Sequence, residues 1–426
     1  MRRLQVHKGK RYLQWEDGEP FFYLADTAWE LFHRLTRQET EEYFQVRSSQ
    51  GFHVIQAAVL SELDGICSGN AYGKTPFPIR DGKIQSMEPC REKGGYWEHV
   101  DDMVKLAAQY GLVISMLPCW GDKWNQKQGS GPEIFRDRCT AWEYGRWIGR
   151  RYREQENIIW ILGGDRNIET ERHKEIILAM GEGIRREDQA HLITFHPGGG
   201  ACSADFFAGT DLLDFHGCQS GHGLEGYESW KYVEHMRRVQ EIPCIDLESR
   251  YEEFPVCFRT DYGTVWDHRD IRANGYWNLL QGACGCVYGH DSVWKFVKKK
   301  SGRHPKTWRE ALHACGAETM RHMETFRKSR PYFELIPEAG LAEDCLYAGH
   351  HIAAARGEKY GMFYSPQGQE FVVHTRLLSL RPVRCIWFDP RKGEFLKSRV
   401  YPPGDLLLVP PQRGKDWAAV LDILEE

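Results

Sequence analysis

Two carboxylates stand at the ends of short apolar runs: Ile158-Ile159-Trp160-Ile161-Leu162-Gly163-Gly164-Asp165 and Ile242-Pro243-Cys244-Ile245-Asp246-Leu247-Glu248. Runs of that length, bounded by Gly, Pro and polar residues, read as buried strands. A carboxylate where such a strand leaves a parallel barrel faces a site and not the core. Two of them on different strands are what cleavage of a glycosidic bond requires. One protonates the leaving oxygen and the other supports the sugar cation, about 5–5.5 Å apart when configuration is retained. Asp165 and Glu248 are the candidate pair. Each has a plainer alternative: Asp165 could cap a following helix, and Glu248 could pair with Arg250. Asp246 shares a strand face with Glu248 but lies deeper, where an unpaired charge is costly, so it is expected as hydrogen-bonded support.

Positioning these groups takes a frame of alternating strands and helices. Candidate strands cover 21–25, 52–60, 112–117, 157–162, 191–196, 212–216, 242–247 and 283–288. Thr36-Arg37-Gln38-Glu39 reads as a capping box before a helix that ends near Gly51. Trp97, Val100, Met103, Val104 and Ala107 recur at helical spacing, and Gly111 stops that helix. Further helical segments are expected over 227–239 and 270–280. About eight strands separated by helices is the count of a (β/α)₈ TIM barrel. The rival doubly wound sheet lacks a GxGxxG turn after an early strand. Beyond residue 332 the pattern changes to short strands near 350–355, 360–364, 370–375, 383–388, 405–409 and 417–421, with Gly, Pro and Asp turns between them. That spacing reads as a small antiparallel β-sandwich. The expected division is 1–332 for the barrel and 333–426 for the sandwich.

The 426 residues are 41% hydrophobic and 27% charged, which suits a globular protein with ample core. A formal charge of −4 offers no electrostatic case for nucleic acid or an anionic membrane as partner. The basic stretch from Lys295 to Lys306 is the local exception and reads as a solvated face. Thirteen cysteines without a CxxC pair argue against structural zinc and redox motifs. No metal or cofactor is expected. Residues 1–14 carry no apolar leader segment, so the expectation is a cytoplasmic, reduced protein, with its oligomeric state open.

Polar and aromatic residues gather after the strands, as a sugar site would need. They are Asp26 and Trp29; Ser61-Glu62-Leu63-Asp64-Gly65 and Asn70; Trp120 and Trp124; Asp165; His196; His216 and Gln219; Glu248, Arg250 and Tyr251; and His290. The stretches Phe22 to Leu31, Glu62-Leu63-Asp64-Gly65 with Asn70, Trp120-Gly121-Asp122-Lys123-Trp124, Trp160 to Asp165, and Glu248 with Tyr251-Glu252 resemble the apiosidase-like family, glycoside hydrolase family 140 and its relatives. Trp387 to Gly393 and Pro402-Pro403 resemble the collagen-binding-type sandwich that usually follows such a barrel. The resemblance implies a retaining glycoside hydrolase acting on a plant-type glycan or glycoside, with an apiosyl linkage as the implied substrate. It matches Asp165 to the family's acid/base and Glu248 to its nucleophile. In the wider clan the fourth-strand acid is Glu preceded by Asn; here it is Asp preceded by Gly, so a shorter side chain must be met by a closer backbone. The substrate contacts expected are Asp26, Trp29, Asp64, Asn70, Trp120, Trp124, His196, His216, Gln219, Arg250, Tyr251 and His290. Two other readings stand beside this one: a catalytically silent carbohydrate-binding barrel, and a metal-dependent barrel hydrolase drawing on His216, His222 and His290.

Overall fold

The computed structural model describes residues 2–127, 131–345 and 347–425. Eight parallel strands form a barrel: β1 (Tyr23–Thr27), β2 (Val54–Ala58), β3 (Val113–Leu117), β4 (Ile158–Gly163), β5 (Ile193–His196), β6 (His216–Gln219), β7 (Cys244–Asp246) and β8 (Gly285–Tyr288). Every residue of β2, β3 and β4 is buried, which is why they read as unbroken apolar runs and not as alternating ones. Six strands make one ladder in the order β5-β4-β3-β2-β1-β8, and β6 pairs with β7. Two seams join these ladders. The Asp214 amide donates to Ile193 O at 2.9 Å beside β5, and the Cys284 amide donates to Cys244 O at 2.9 Å between β7 and β8. The (β/α)₈ frame expected from the sequence is therefore present.

The sixth strand departs from its expected position, beginning at His216 where the run 212–216 ends. Leu212 and Leu213 join the helix-side core instead, and the strand is built of small residues, Gly217 and Cys218. Helix α1 (Arg37–Ser49) opens with the capping box: Thr36 Oγ1 accepts from the Glu39 amide while Glu39 accepts from the Thr36 amide. Helix α2 (Tyr96–Gln109) buries Trp97, Val100, Met103, Val104 and Ala107 on one side. Helices α3 (Arg138–Tyr152) and α4 (Glu171–Glu187) were not singled out by periodicity. They pack so closely that a Cβ at Gly145 would sit 2.3 Å from Met180 O. Helices α5 (Ser229–Val239), α6 (His268–Leu280) and α7 (Cys315–Lys328) complete the outer ring. The basic stretch is largely neutralised, with Lys298 on Glu39, Lys300 on Glu310, Arg303 on Asp291 and Lys306 on Glu253.

The C-terminal part is antiparallel, with β9 (Ala353–Arg356), β10 (Tyr360–Ser365), β11 (Phe371–His374), β12 (Val383–Asp389), β13 (Asp405–Leu408) and β14 (Trp417–Ile423). β9, β10, β14 and β12 lie side by side, and β11 pairs with β13 as a second layer. The larger sheet is buried on both faces. Ala353, Ala355, Met362, Tyr364, Ala418 and Val420 belong to the core shared with the barrel, whereas Ala354, Phe363, Ala419 and Leu421 face the second layer. The period-two alternation thus separates two apolar surfaces. At the junction Tyr276 of α6 stacks on Tyr364 at 4.8 Å, and the Trp230 ring stacks on His351 at 4.1 Å.

One buried ion pair crosses this junction. Arg272 of α6 donates through Nε and Nη2 to both oxygens of Asp416, each at 2.9 Å. Removing one partner leaves the other charge buried and alone, at a cost of about 3–5 kcal/mol. Arg272→Met is therefore expected to lower the unfolding midpoint in urea markedly, and Arg272→Met with Asp416→Leu to recover most of that loss. A single variant as stable as the parent would show that the pair does not tie the two parts together.

Candidate active site

Asp165 reaches the end of β4 through a run of left-handed backbone. Gly163, Gly164 and Asp165 have φ of +95°, +101° and +53°. Glycine adopts such angles without strain, whereas Asp165 spends about 1–2 kcal/mol on its own. The two glycines are also required for space: a Cβ at Gly163 would lie 2.3 Å from His196 O, and one at Gly164 would lie 2.9 Å from Gly121 N. Backbone bonds lock the turn, Gly121 N to Gly164 O at 2.9 Å and Gly164 N to His196 O at 3.0 Å. The Gly-Gly before the acid is what turns this short side chain inward. Arg166 Nη1 donates to Asp165 Oδ2 at 2.9 Å, and the carboxyl remains about 38% exposed.

Glu248 follows β7 and is buried between two imidazoles. His222 Nε2 bonds its Oε1 at 3.1 Å. His196 Nε2 stands 3.2 Å from its Oε2, close enough for an ion pair but out of line for a hydrogen bond. His196 Nδ1 lies 2.9 Å from Pro197 O and 3.2 Å from the Asp165 amide nitrogen. Nδ1 thus faces the Pro197 carbonyl and also accepts from the Asp165 amide; burial lowers the ring's pKa, but the contact with Glu248 raises it on balance. Burial alone would also raise the Glu248 carboxyl, yet the contacts with His196 and His222 hold it down to about 2. The Asp165 carboxyl moves the other way. Burial raises its pKa first and the Glu248 charge second, with Arg166 and His196 opposing. The two pKa values are thus driven apart.

Both line one cavity of about 150 Å³ at the C-terminal ends of the barrel strands, together with Trp29, Glu62, Trp120, Gln219, His222, Tyr251, Phe254, Phe258 and Trp294. Trp29 and Trp120 meet at 5.0 Å between ring centres, and Trp29 Nε1 donates to Tyr251 Oη at 2.9 Å. Larger hollows elsewhere contain neither acid.

Residues 7–334 match the family described as the apiosidase-like catalytic domain, and residues 336–422 match a domain described as collagen-binding, of a collagenase. The chain belongs to the apiosidase-like family. Its fold superposes on a solved "glycoside hydrolase" with a TM-score of 0.89 and 27% identity over 100% of this chain and 97% of the other. A glycoside hydrolase described as family 5, from Bacteroides vulgatus ATCC 8482, gives 0.88 and 26% over 99% and 93%. A third structure, from the same organism, at 12% identity and a TM-score of 0.71, shares the fold alone. No curated protein matches in sequence. The protein is a glycoside hydrolase, and its substrate is a carbohydrate.

Within this apiosidase-like barrel the expected contact residues divide sharply. Trp29, Trp120, Gln219 and Tyr251 line the cavity, and His196 supports it from beneath. The others do not reach it. Asp26 is buried outside it, accepting from Tyr43 Oη at 2.5 Å and Arg47 Nε at 2.6 Å. Trp124 is fully buried, its indole donating to Gly163 O at 3.1 Å, so it braces the Asp165 turn. His216 bonds Ser203 Oγ at 2.8 Å and Gln240 Oε1 at 3.1 Å on the helix side. Arg250 donates to Asn274 Oδ1 at 3.0 Å and stacks over Tyr227 and Trp266, so it does not hold Glu248. His290 stands 3.5 Å from Glu253 Oε2. Asn70 accepts from the Tyr72 and Lys74 amides in a turn, and exposed Asp64 faces a different hollow. Asp246 accepts from Ser220 N at 3.1 Å and Ser220 Oγ at 2.6 Å, the supporting role expected of it.

Sequence reasoning placed His222 only among metal candidates and missed Phe254 and Phe258, which lie in a loop without periodicity. His216, His222 and His290 do not converge on an ion, since each serves a different partner. Among the described residues only Cys202, Asp205 and His235 bring ligand atoms together, within 4.8 Å and outside the cavity. No helix of the described residues is long and apolar enough to cross a membrane.

Gly164→Ala tests the turn. A misplacement of about 1 Å at the acid costs on the order of 10²-fold in rate. The variant should therefore lose activity toward a chromogenic glycoside while keeping its far-ultraviolet circular dichroism. Full activity would show that the Gly-Gly turn does not aim Asp165.

Proposed function

We propose that this protein is a retaining glycoside hydrolase in which Glu248 is the nucleophile and Asp165 the acid/base. The carrying observation is that two acids line one small cavity and have their pKa values pushed in opposite directions. Glu248, ionised between His196 and His222, attacks the anomeric carbon while Asp165 gives its proton to the departing oxygen. Asp165 then takes a proton from the water that releases the sugar from Glu248. The rings of Trp29, Trp120 and Tyr251 suit the C–H faces of a sugar. The Trp120 and Trp294 indole N–H groups and Gln219 Oε1 make no hydrogen bond within the protein, which suits the reading of sugar hydroxyls there.

A cavity of about 150 Å³ has room for a single sugar ring, which favours a small glycone. An apiosyl residue of a plant-type glycoside, the substrate in the family's name, fits that limit. We read residues 1–332 as the catalytic unit and 333–426 as a covering domain. A catalytically silent binding barrel is disfavoured by the two acids with opposed pKa shifts. A metal-dependent barrel is disfavoured by three histidines that do not converge.

Screening chromogenic pentosides and hexosides with proton NMR should find a first-formed sugar that keeps the configuration of the substrate. An inverted product, or turnover surviving in Glu248→Gln, would overturn the assignment. Asp165→Ala should lose turnover on poor leaving groups; on an activated leaving group, which departs without protonation, azide should restore turnover by displacing the sugar from Glu248 as the glycosyl azide. Turnover that a chelator abolishes would favour the metal reading.

The pH profile follows from the directions of the shifts. The competent form has Glu248 ionised and Asp165 protonated. Glu248 stays ionised down to about pH 2, so mild acid costs little. Asp165 is raised above the usual Asp value of about 3.9, so kcat/KM should hold past that value and decline as pH climbs through the raised pKa. A decline at or below the usual Asp range would contradict the acid assignment.

A further inference from the structure

A third carboxyl enters the cavity, and neither acid role uses it. Glu62 lines the same wall as Asp165 and Glu248. It is half-buried, and among the described residues no hydrogen bond or ion pair involves its side chain; its carbonyl accepts from Gly65 N at 3.0 Å and Ser61 Oγ at 3.4 Å. The backbone that presents it is strained. Leu63 and Asp64, the next two residues, have φ of +49° and +72° without being glycine. Such pairs persist where the surroundings force them, and they concentrate at ligand sites. A Cβ at Gly65 already lies 2.1 Å from Ser61 Oγ, so the turn is held tightly from below.

We infer that Glu62 is a substrate-binding residue that reads a hydroxyl of the sugar held between Asp165 and Glu248, donating one hydrogen bond and accepting another. The inference rests on the glycosidase reading above. Its physical basis is crowding of like charge. Glu62 sits among other carboxyls, Glu30, Asp165, Glu248 and Asp122, each of which disfavours a further charge there when ionised; Glu248 is the one the reaction keeps as an anion. Burial first and these charges second push its pKa up to about 8. The cations nearby make their direct contacts elsewhere, although Lys295 attracts Glu62 at longer range. Arg34 pairs with Glu30 at 3.3 Å, Lys123 pairs with Asp122 at 2.8 Å, and the Lys295 amine lies over the Trp294 ring at 4.8 Å. Glu30 is itself raised to about 7 by burial, with Arg34 and Ser61 opposing, so it can carry charge near neutrality. A neutral carboxyl can both give and take a hydrogen bond, which a carboxylate cannot, and it adds no like charge beside Glu248.

The test has one arm without substrate and one with it. Infrared difference spectra between the parent and Glu62→Gln should show a protonated-carboxyl band at pH 7 that the variant lacks and that fades above about pH 8. A band already absent at pH 7 would overturn the inference whatever the kinetics. On the chromogenic glycoside that the screen identifies, Glu62→Ala should raise KM about 2- to 10-fold, the span of one neutral hydrogen bond, with a smaller change in kcat. Glu62→Gln keeps a donor and an acceptor, so its KM should rise less and should lack the increase that the parent shows above pH 8. Equal KM in parent and Glu62→Ala would sink the binding role. Azide separates this inference from the reading beneath it: rescue of Asp165→Ala but not of Glu62→Ala supports both, whereas rescue of Glu62→Ala alone makes Glu62 the acid and overturns both.

Discussion

Two negative groups share a space of about one sugar ring, and most of the site follows from keeping them apart in charge state. Left alone, two buried carboxyls would compete for one proton and titrate as a blurred pair. The protein breaks the symmetry from one side only. Both imidazoles contact Glu248 directly, while the cation in direct contact with the Asp165 carboxyl is Arg166. The result is a stable anion facing a carboxyl with a raised pKa. His196 links the two directly, since one ring nitrogen stands beside Glu248 and the other beside the Asp165 amide. A shift of β5 relative to β4 would disturb both acids at once.

That dependence explains why the frame beneath is so rigid. The Gly163-Gly164 turn, the Gly121 strand end and the Trp124 indole interlock through backbone bonds, with no spare volume at either glycine. On the far side Asp246 accepts from Ser220 N, Ser220 Oγ and Asn278 Nδ2 in the layer near Glu248. The sandwich contributes indirectly. It covers the outer faces of α5 and α6, and α6 packs against β8, so its buried sheet closes the core on the side where the barrel ladder is weakest.

Much of the fold was legible in the chain. Strand runs, the Thr36 capping box and the change of rhythm after residue 332 are local signals carried by neighbouring residues. The sixth strand was displaced because Leu212 and Leu213 mark burial without marking which layer they enter. Helices α3 and α4 escaped notice because their contact is made by glycines, which add nothing to an apolar pattern. Among contact residues, position at a strand end did not reveal direction. Asp26, Trp124, His216 and His290 lie in or near the strands as Trp29 and Gln219 do, yet they point into packed layers.

The sequence by itself determined that two acids would stand at the ends of the fourth and seventh strands of a barrel, because apolar runs and their polar terminators are encoded residue by residue. Only the tertiary structure decided which acid keeps its proton. That choice depends on distances between groups remote in the chain, from Glu248 to His196 and His222 and from Asp165 to Glu248. Electrostatic energy depends on separation and burial, and neither exists until the barrel has closed.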